Sequence, residues 1–137
     1  MKMKYDSIVE FPFHYNLKTR WKDMDSFGHV NNALFLTYIE DARITLFKRW
    51  DLVDLKQSII VASVKIDFIS QMQHPSDLII GQRISRIGNT SFDIHSVIYL
   101  KDAQKPSASS VVTCVCYDYK RSKTLPVYDA IKAEYVG

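Results

Sequence analysis

The stretch from about Asn31 to Trp50 restricts the fold more than any other part of the sequence. Phe35, Ile39, Ala42, Leu46, Phe47 and Trp50 recur at helical spacing, and Leu34, Leu36, Tyr38 and Ile44 add apolar groups on other faces. A helix apolar over so much of its circumference needs cover on most sides. Asn31 or Asn32 is placed to cap its start, because an Asn side chain accepts from a free helix N–H. Lys48 and Arg49 suit the negative end of its dipole.

The cover has to come from β-structure. Ahead of the helix, Phe11, Phe13, Tyr15, Leu17, Thr19 and Trp21 alternate with Pro12, His14, Asn16, Lys18 and Arg20, which predicts a half-buried strand over 11–21. Behind it, four further strands are predicted over 60–68, 78–87, 92–100 and 111–119, with Gly81 a bulge or close-approach site. Turns are expected at 72–77, 87–91 and 101–107, and a short helix from Pro126 to Tyr135 with Pro in its first turn. Consecutive strands joined by short turns pair mostly antiparallel. The expected class is α+β: one curved antiparallel five-stranded sheet wrapped around one long central helix, as a single domain over all 137 residues.

Composition narrows the function classes. A hydrophobic fraction of 47% with 24% charged residues excludes a disordered chain, a collagen-like chain and a coiled-coil rod. The net charge of +3 is too small an excess to argue for nucleic acid, although it does not repel an anionic ligand. No apolar run approaches the ~18 residues that cross a membrane. The opening MKMKYDSIVEF has two lysines but lacks the apolar core of a signal peptide. Cys114 and Cys116 share a face of the last long strand, too closely spaced for an unstrained disulfide and without a second Cys or His pair for zinc. They are expected to be small buried thiols in a reducing cytoplasm. No metal or cofactor is expected.

Chemistry concentrates in RWKDMDSFGHVNNALFLTYIEDAR, residues 20–43. Asp23 and Asp25 follow the first strand and share a face if it persists. Gly28 permits a sharp turn, which delivers the chain to a helix whose first N–H groups lack intrahelical partners. A carboxylate therefore stands a few residues from free backbone donors and the positive end of a helix dipole. Acyl transfer needs this pairing. A fixed N–H donor stabilises the developing oxyanion by ~3–4 kcal/mol, and a carboxylate can activate water or attack the carbonyl itself. A thioester needs little acid assistance, because its thiolate leaves readily.

The run Asp23-Met24-Asp25-Ser26-Phe27-Gly28-His29-Val30-Asn31-Asn32, followed by Tyr38-Ile39-Glu40-Asp41-Ala42-Arg43, resembles the 4-hydroxybenzoyl-CoA thioesterase family, and most of all its long-chain acyl-CoA and acyl-carrier-protein members. Arg86–Phe92 and Val115–Asp118 also resemble that family's strands. The resemblance implies a hot-dog fold, homodimers with sites at the interface that can pair into tetramers, and metal-free hydrolysis of acyl-CoA or acyl-carrier-protein thioesters. It implies that Asp25 is the catalytic carboxylate and that the N–H near Asn32 polarises the carbonyl. His29 lies in the turn, where the long-chain members also carry His, and is a catalytic acid–base candidate beside its reading as a turn or capping histidine. Ala33 replaces the first-turn His of one subgroup, which weakens the carry-over of that subgroup's short-chain specificity and of its His-assisted mechanism.

Gly28, Val30 and Asn31 stand beside these residues as substrate-binding candidates. Arg86, Lys65, Lys120 and Arg121 are candidates for a ligand's phosphates, and Asn89, Thr90 and Ser91 for its pantetheine amides. Phe35, Tyr38 and Phe92 fit either a pocket lining or ordinary core. Asp23 is expected to pair with a basic group, and Glu40 with Arg43 as an (i, i+3) pair on the helix surface. His14, His74 and His95 have no convergent partners in sequence. The two aspartates also fit a solvated turn or a weak two-carboxylate metal site. Two other functions stay open: a non-catalytic acyl-thioester binder, and a dehydratase or hydratase pairing His29 with a carboxylate.

Overall fold

The computed structural model describes residues 7–52 and 57–136. Residues 1–6, part of the stretch read above for a signal peptide, lie outside the described residues. The elements in chain order are β1 (Phe13–Lys18), α1 (Asn32–Arg49), β2 (Ser58–Phe68), β3 (Asp77–Ile87), β4 (Ser91–Leu100), β5 (Ala108–Asp118), β6 (Lys123–Thr124) and α2 (Asp129–Lys132). The sheet order is β1-β3-β4-β5-β2, with every pair antiparallel, and the two-residue β6 adds to β5. This is the hot-dog architecture: a curved sheet around one main helix.

The helix sits where its periodicity demands. Phe35, Tyr38, Ile39, Ala42 and Leu46 are buried against the sheet. Its first half packs with Leu78, Ile80, Ile98 and Ala108, and its last turn with Ile84, Phe92, Ile94 and Cys114. Burying one such side chain contributes roughly 1.5–3 kcal/mol. The two clusters therefore fix both the position of α1 and its direction across the sheet. The other face of the sheet is closed locally by Phe11, which packs with Val97, Tyr99 and Ile8. Gly81 is a close-approach site and not a bulge: a Cβ there would stand 2.6 Å from Ile8 Cδ1 and 2.9 Å from Phe11 Cβ. The register shifts fall at Val61/Ser63 in β2 and Ile84/Arg86 in β3.

Four expectations need correction. β1 ends at Lys18 rather than 21, because the backbone N–H and guanidinium of Arg20 turn back onto the Asp23 carboxylate in a 3-10 turn over Trp21–Asp23. Trp21 is consequently 79% exposed, and Asp23 and Asp25 do not share a face: Asp23 is buried and Asp25 exposed. The last helix is only Asp129–Lys132, since the N–H groups of Leu125 and Val127 bond Cys116 O and Asn89 O and hold that segment extended. Glu40 and Arg43 do pair, at 3.7 Å, but Arg43 is buried rather than on the surface.

β2 is a free edge. Its residues Val61, Val64 and Phe68 pair with Cys114, Val112 and Ala108 on the helix side of the sheet, yet α1 lies over β1, β3 and β4. Val64 and Phe68 are each 46% exposed, and Leu36 and Ile44 on α1 are exposed as well.

Candidate active site

The site is a loop folded back on itself. Met24 and Val30 form an isolated bridge, Asp25 N–H donates to His29 O at 2.7 Å, and Gly28 makes the turn with φ +82°. That conformation strains residues bearing a Cβ. Asp25 Oδ1 accepts the N–H groups of Phe27 (2.8 Å) and His29 (3.2 Å), an Asx-type closure that orients the carboxylate from within the loop. Oδ2 has no hydrogen-bond partner among the described residues.

The loop is moored on two sides. Val30 N–H donates to Met72 O at 2.7 Å, and Asn31 N–H to Asp23 O at 2.9 Å. Asn31 is the N-cap, its side chain accepting from Ala33 N–H at 3.0 Å. Asn32 is the first helical residue, and its N–H meets no acceptor among the described residues. A carboxylate oxygen and an unpaired helix amide are therefore held by one compact loop.

Asp23 has a different character. It is 2% exposed, and its carboxylate takes Tyr38 Oη–H at 2.6 Å, the Arg20 backbone N–H at 3.1 Å and the Arg20 guanidinium at 2.9–3.2 Å. Burial pushes its carboxyl up, but the hydrogen bonds from Arg20 and Tyr38 outweigh that and hold it below the usual range. Burial and the Asp23 carboxylate together push the Tyr38 hydroxyl well up. The expected basic partner of Asp23 is Arg20. The part played by Tyr38 is new, and only the (i, i+3) spacing of Arg20 and Asp23 hints at any of it.

The remaining candidates scatter. Val30 is a core residue. His29 is half-buried and contributes backbone bonds to the turn. Arg86, Asn89, Thr90 and Ser91 lie at the β3–β4 turn, beside the helix's last turn and thus at the opposite end of the protomer from Asp25. Arg86 is paired with Asp93 at 2.9 Å and donates to Ser91 Oγ at 3.0 Å. The carbonyls of Asn89 and Thr90 accept from Val127 and Cys116. Phe35, Tyr38 and Phe92 are buried core. One cleft of about 320 Å³ is lined by Asn16, Leu17, Lys18, Asp77, Leu78 and Lys101, and does not include Asp25.

Among the described residues no group of three His, Cys, Asp or Glu side chains could hold a metal ion, and no helix is long and apolar enough to cross a membrane. The cysteines are free and buried, and burial pushes the Cys114 thiol up to about 12.

The chain is 32% identical over 89 residues to the Bacillus subtilis protein YsmA, covering 64% of this chain and 60% of YsmA. It is 28% identical over 113 residues to the long-chain acyl-CoA thioesterase FadM of Escherichia coli, covering 80% and 86%. A thioesterase from Thermus thermophilus, solved with coenzyme A and Zn, superposes with a TM-score of 0.77 at 26% identity, over 90% of this chain and 97% of that one. The model of the thioesterase-like superfamily matches residues 19–134, and the chain belongs to that superfamily.

Proposed function

We propose that the protein is an acyl-CoA thioesterase that hydrolyses a fatty or other acyl thioester to free acid and thiol, acting as a cytoplasmic homodimer. One observation carries this function: the outward oxygen of Asp25 and the unpaired Asn32 N–H are held by the same moored loop. In a general-base course, Asp25 takes a proton from water as the oxygen attacks the thioester carbonyl. The Asn32 N–H stabilises the oxyanion, and the C–S bond breaks to release the thiolate. In a nucleophilic course, Asp25 Oδ2 attacks, the thiolate leaves, and water hydrolyses the resulting anhydride.

The dimer accounts for the exposure of Asp25 in one protomer. Phe35 in the first turn of α1 contacts Phe68 at the end of β2, so the loop lies beside the free, apolar sheet edge. Two-fold antiparallel pairing along β2 reverses the second copy. The partner's Arg86, Asn89, Thr90 and Ser91 then come to the Asp25 end, where they can meet the CoA moiety. Similarity to FadM and to a coenzyme A-bound thioesterase supports a CoA thioester over other esters. Buried free thiols fit a reducing compartment.

The test is thiol release from acetyl-, octanoyl-, palmitoyl- and benzoyl-CoA, and from an acyl carrier protein. Turnover of at least one acyl-CoA is expected, with Asp25→Asn reduced at least ~100-fold. Tight binding without turnover indicates a non-catalytic binder, and full activity of Asp25→Asn rules out this mechanism. Single turnover in ¹⁸O-water identifies a nucleophilic course whose anhydride opens at the Asp25 carbonyl, since only that puts label into the Asp25 carboxyl.

A further inference from the structure

We infer that Asp23, acting through Tyr38, is a positioning residue that sets where the Asp25 carboxylate stands relative to the first amide of α1. This rests on the function proposed for Asp25 and extends it to a residue that touches no substrate.

Asp23 is the junction of three pieces of chain. Its carboxylate grips Tyr38 in the second turn of α1 and Arg20 after β1, while its carbonyl takes the N–H of Asn31, the helix cap. The loop 24–30 begins one residue beyond this junction and returns to it at Asn31. The carboxylate is buried and its bonds are ionic or short, so they hold direction better than solvated contacts do. Asp25 itself is exposed and held only by amides within its own loop. Those bonds fix Asp25 to the loop, whereas Asp23 helps fix the loop to the helix. A misplacement of about 1 Å between catalytic groups can cost ~10²-fold in rate.

Tyr38→Phe is the decisive variant, because it deletes one hydroxyl, keeps the ring in the core and leaves Asp23 paired with Arg20. Asp23→Asn is the second, since its amide oxygen can still accept from Tyr38 while the charge toward Arg20 is lost. Asp23→Ala is compared with it for rescue. The measurements are kcat and KM on the four acyl-CoA esters and amide hydrogen exchange over residues 24–31. Expected for Tyr38→Phe are a fall in kcat of about tenfold or more, KM within about twofold, and exchange in 24–31 faster by about tenfold with the central strands unchanged. Asp23→Asn should recover part of the kcat lost in Asp23→Ala.

If Tyr38→Phe proves unfolded by circular dichroism, Asp23→Ala, which removes the acceptor of the Tyr38 hydroxyl, is judged by the same two measurements. Wild-type kcat in the folded variant, or a loss of kcat without faster exchange in 24–31, overturns the positioning role while Asp25→Asn remains inactive. Wild-type activity of Asp25→Asn instead removes the proposed mechanism, a wild type silent on all four esters removes the proposed function, and either result takes this role with it.

Discussion

Phe68, the last residue of the free edge strand, meets Phe35 in the first turn of α1 with ring centroids 5.4 Å apart and planes at 67°. This edge-to-face contact places the start of the helix, and the loop that carries Asp25, beside an edge strand that leaves Val61 and Val64 exposed on its helix side.

That placement makes the oligomer testable through the edge alone. Val64 lies in the middle of β2, half-exposed and far in sequence from the loop. Val64→Glu puts a charge on the apolar face of the proposed seam, and edge charges oppose strand addition. Light scattering should show a dimer for the wild type and a monomer for the variant. Circular dichroism should be unchanged, and thioesterase activity should fall at least ~10-fold. A monomeric wild type, or a fully active monomeric variant, would contradict the shared site.

The Tyr38–Asp23 bond has a stability consequence separate from its proposed role in rate. A buried hydrogen bond to a charged group contributes about 1.5–3 kcal/mol. Tyr38→Phe should lower stability by about that amount, since the hydroxyl is removed and Asp23 keeps Arg20. Urea unfolding followed by circular dichroism measures it. An unchanged midpoint would mean that water replaces the bond at no cost.

Acid should weaken the fold through two carboxylates. Asp23 is held below its usual range because the bonds from Arg20 and Tyr38 outweigh burial, and Asp93 because those from Arg86 and Thr113 do. A depressed folded pKa means that the unfolded chain takes the proton first. The stability from these groups is complete above the unfolded value of ~3.9 and is lost as pH falls through the folded values. Stability from urea titrations should drop steeply below about pH 4, and Asp23→Asn should flatten that slope. Equal slopes for the two proteins would show that Asp23 has no such linkage.

Both cysteines should be silent to thiol reagents in the folded protein. They are buried, and burial raises both thiols, Cys114 to about 12. Since the thiolate is the reactive form, an aromatic disulfide reagent should titrate neither thiol at pH 8 and both after denaturation. A fast-reacting native thiol would show that the face bearing Cys114 and Cys116 opens in solution.

Two glycines should resist replacement for different reasons. Gly81→Ala drives a Cβ into Ile8 and Phe11, an overpacking cost of about 1–3 kcal/mol, with activity kept in the folded fraction. Gly28→Ala has room, with Met24 Cε at 4.0 Å, but its φ of +82° is unfavourable. It should cost only about 1–2 kcal/mol while lowering kcat, because it reshapes the Asp25 turn. Paired unfolding and kinetic measurements distinguish the two.

Much of this protein follows from local pattern. The helix over residues 32–49 and the strands that follow it are written in apolar periodicity, because each is long enough for burial of one face to dominate its free energy. The Gly28 turn and the capping Asn31 are equally local, since both depend on neighbours a few residues away. What the periodicity missed involves partners far along the chain. Trp21 continues the β1 alternation in sequence, yet the turn of Arg20 onto Asp23 sets it outside. Pro126 suggests a helix start, but distant carbonyls at Cys116 and Asn89 hold its neighbours extended. Tertiary structure alone decided that Asp23 is the buried carboxylate and Asp25 the outward one, and that the helix leaves Val61 and Val64 of β2 exposed. Two aspartates two residues apart carry the same local signal, and only the groups folded around each one separate them.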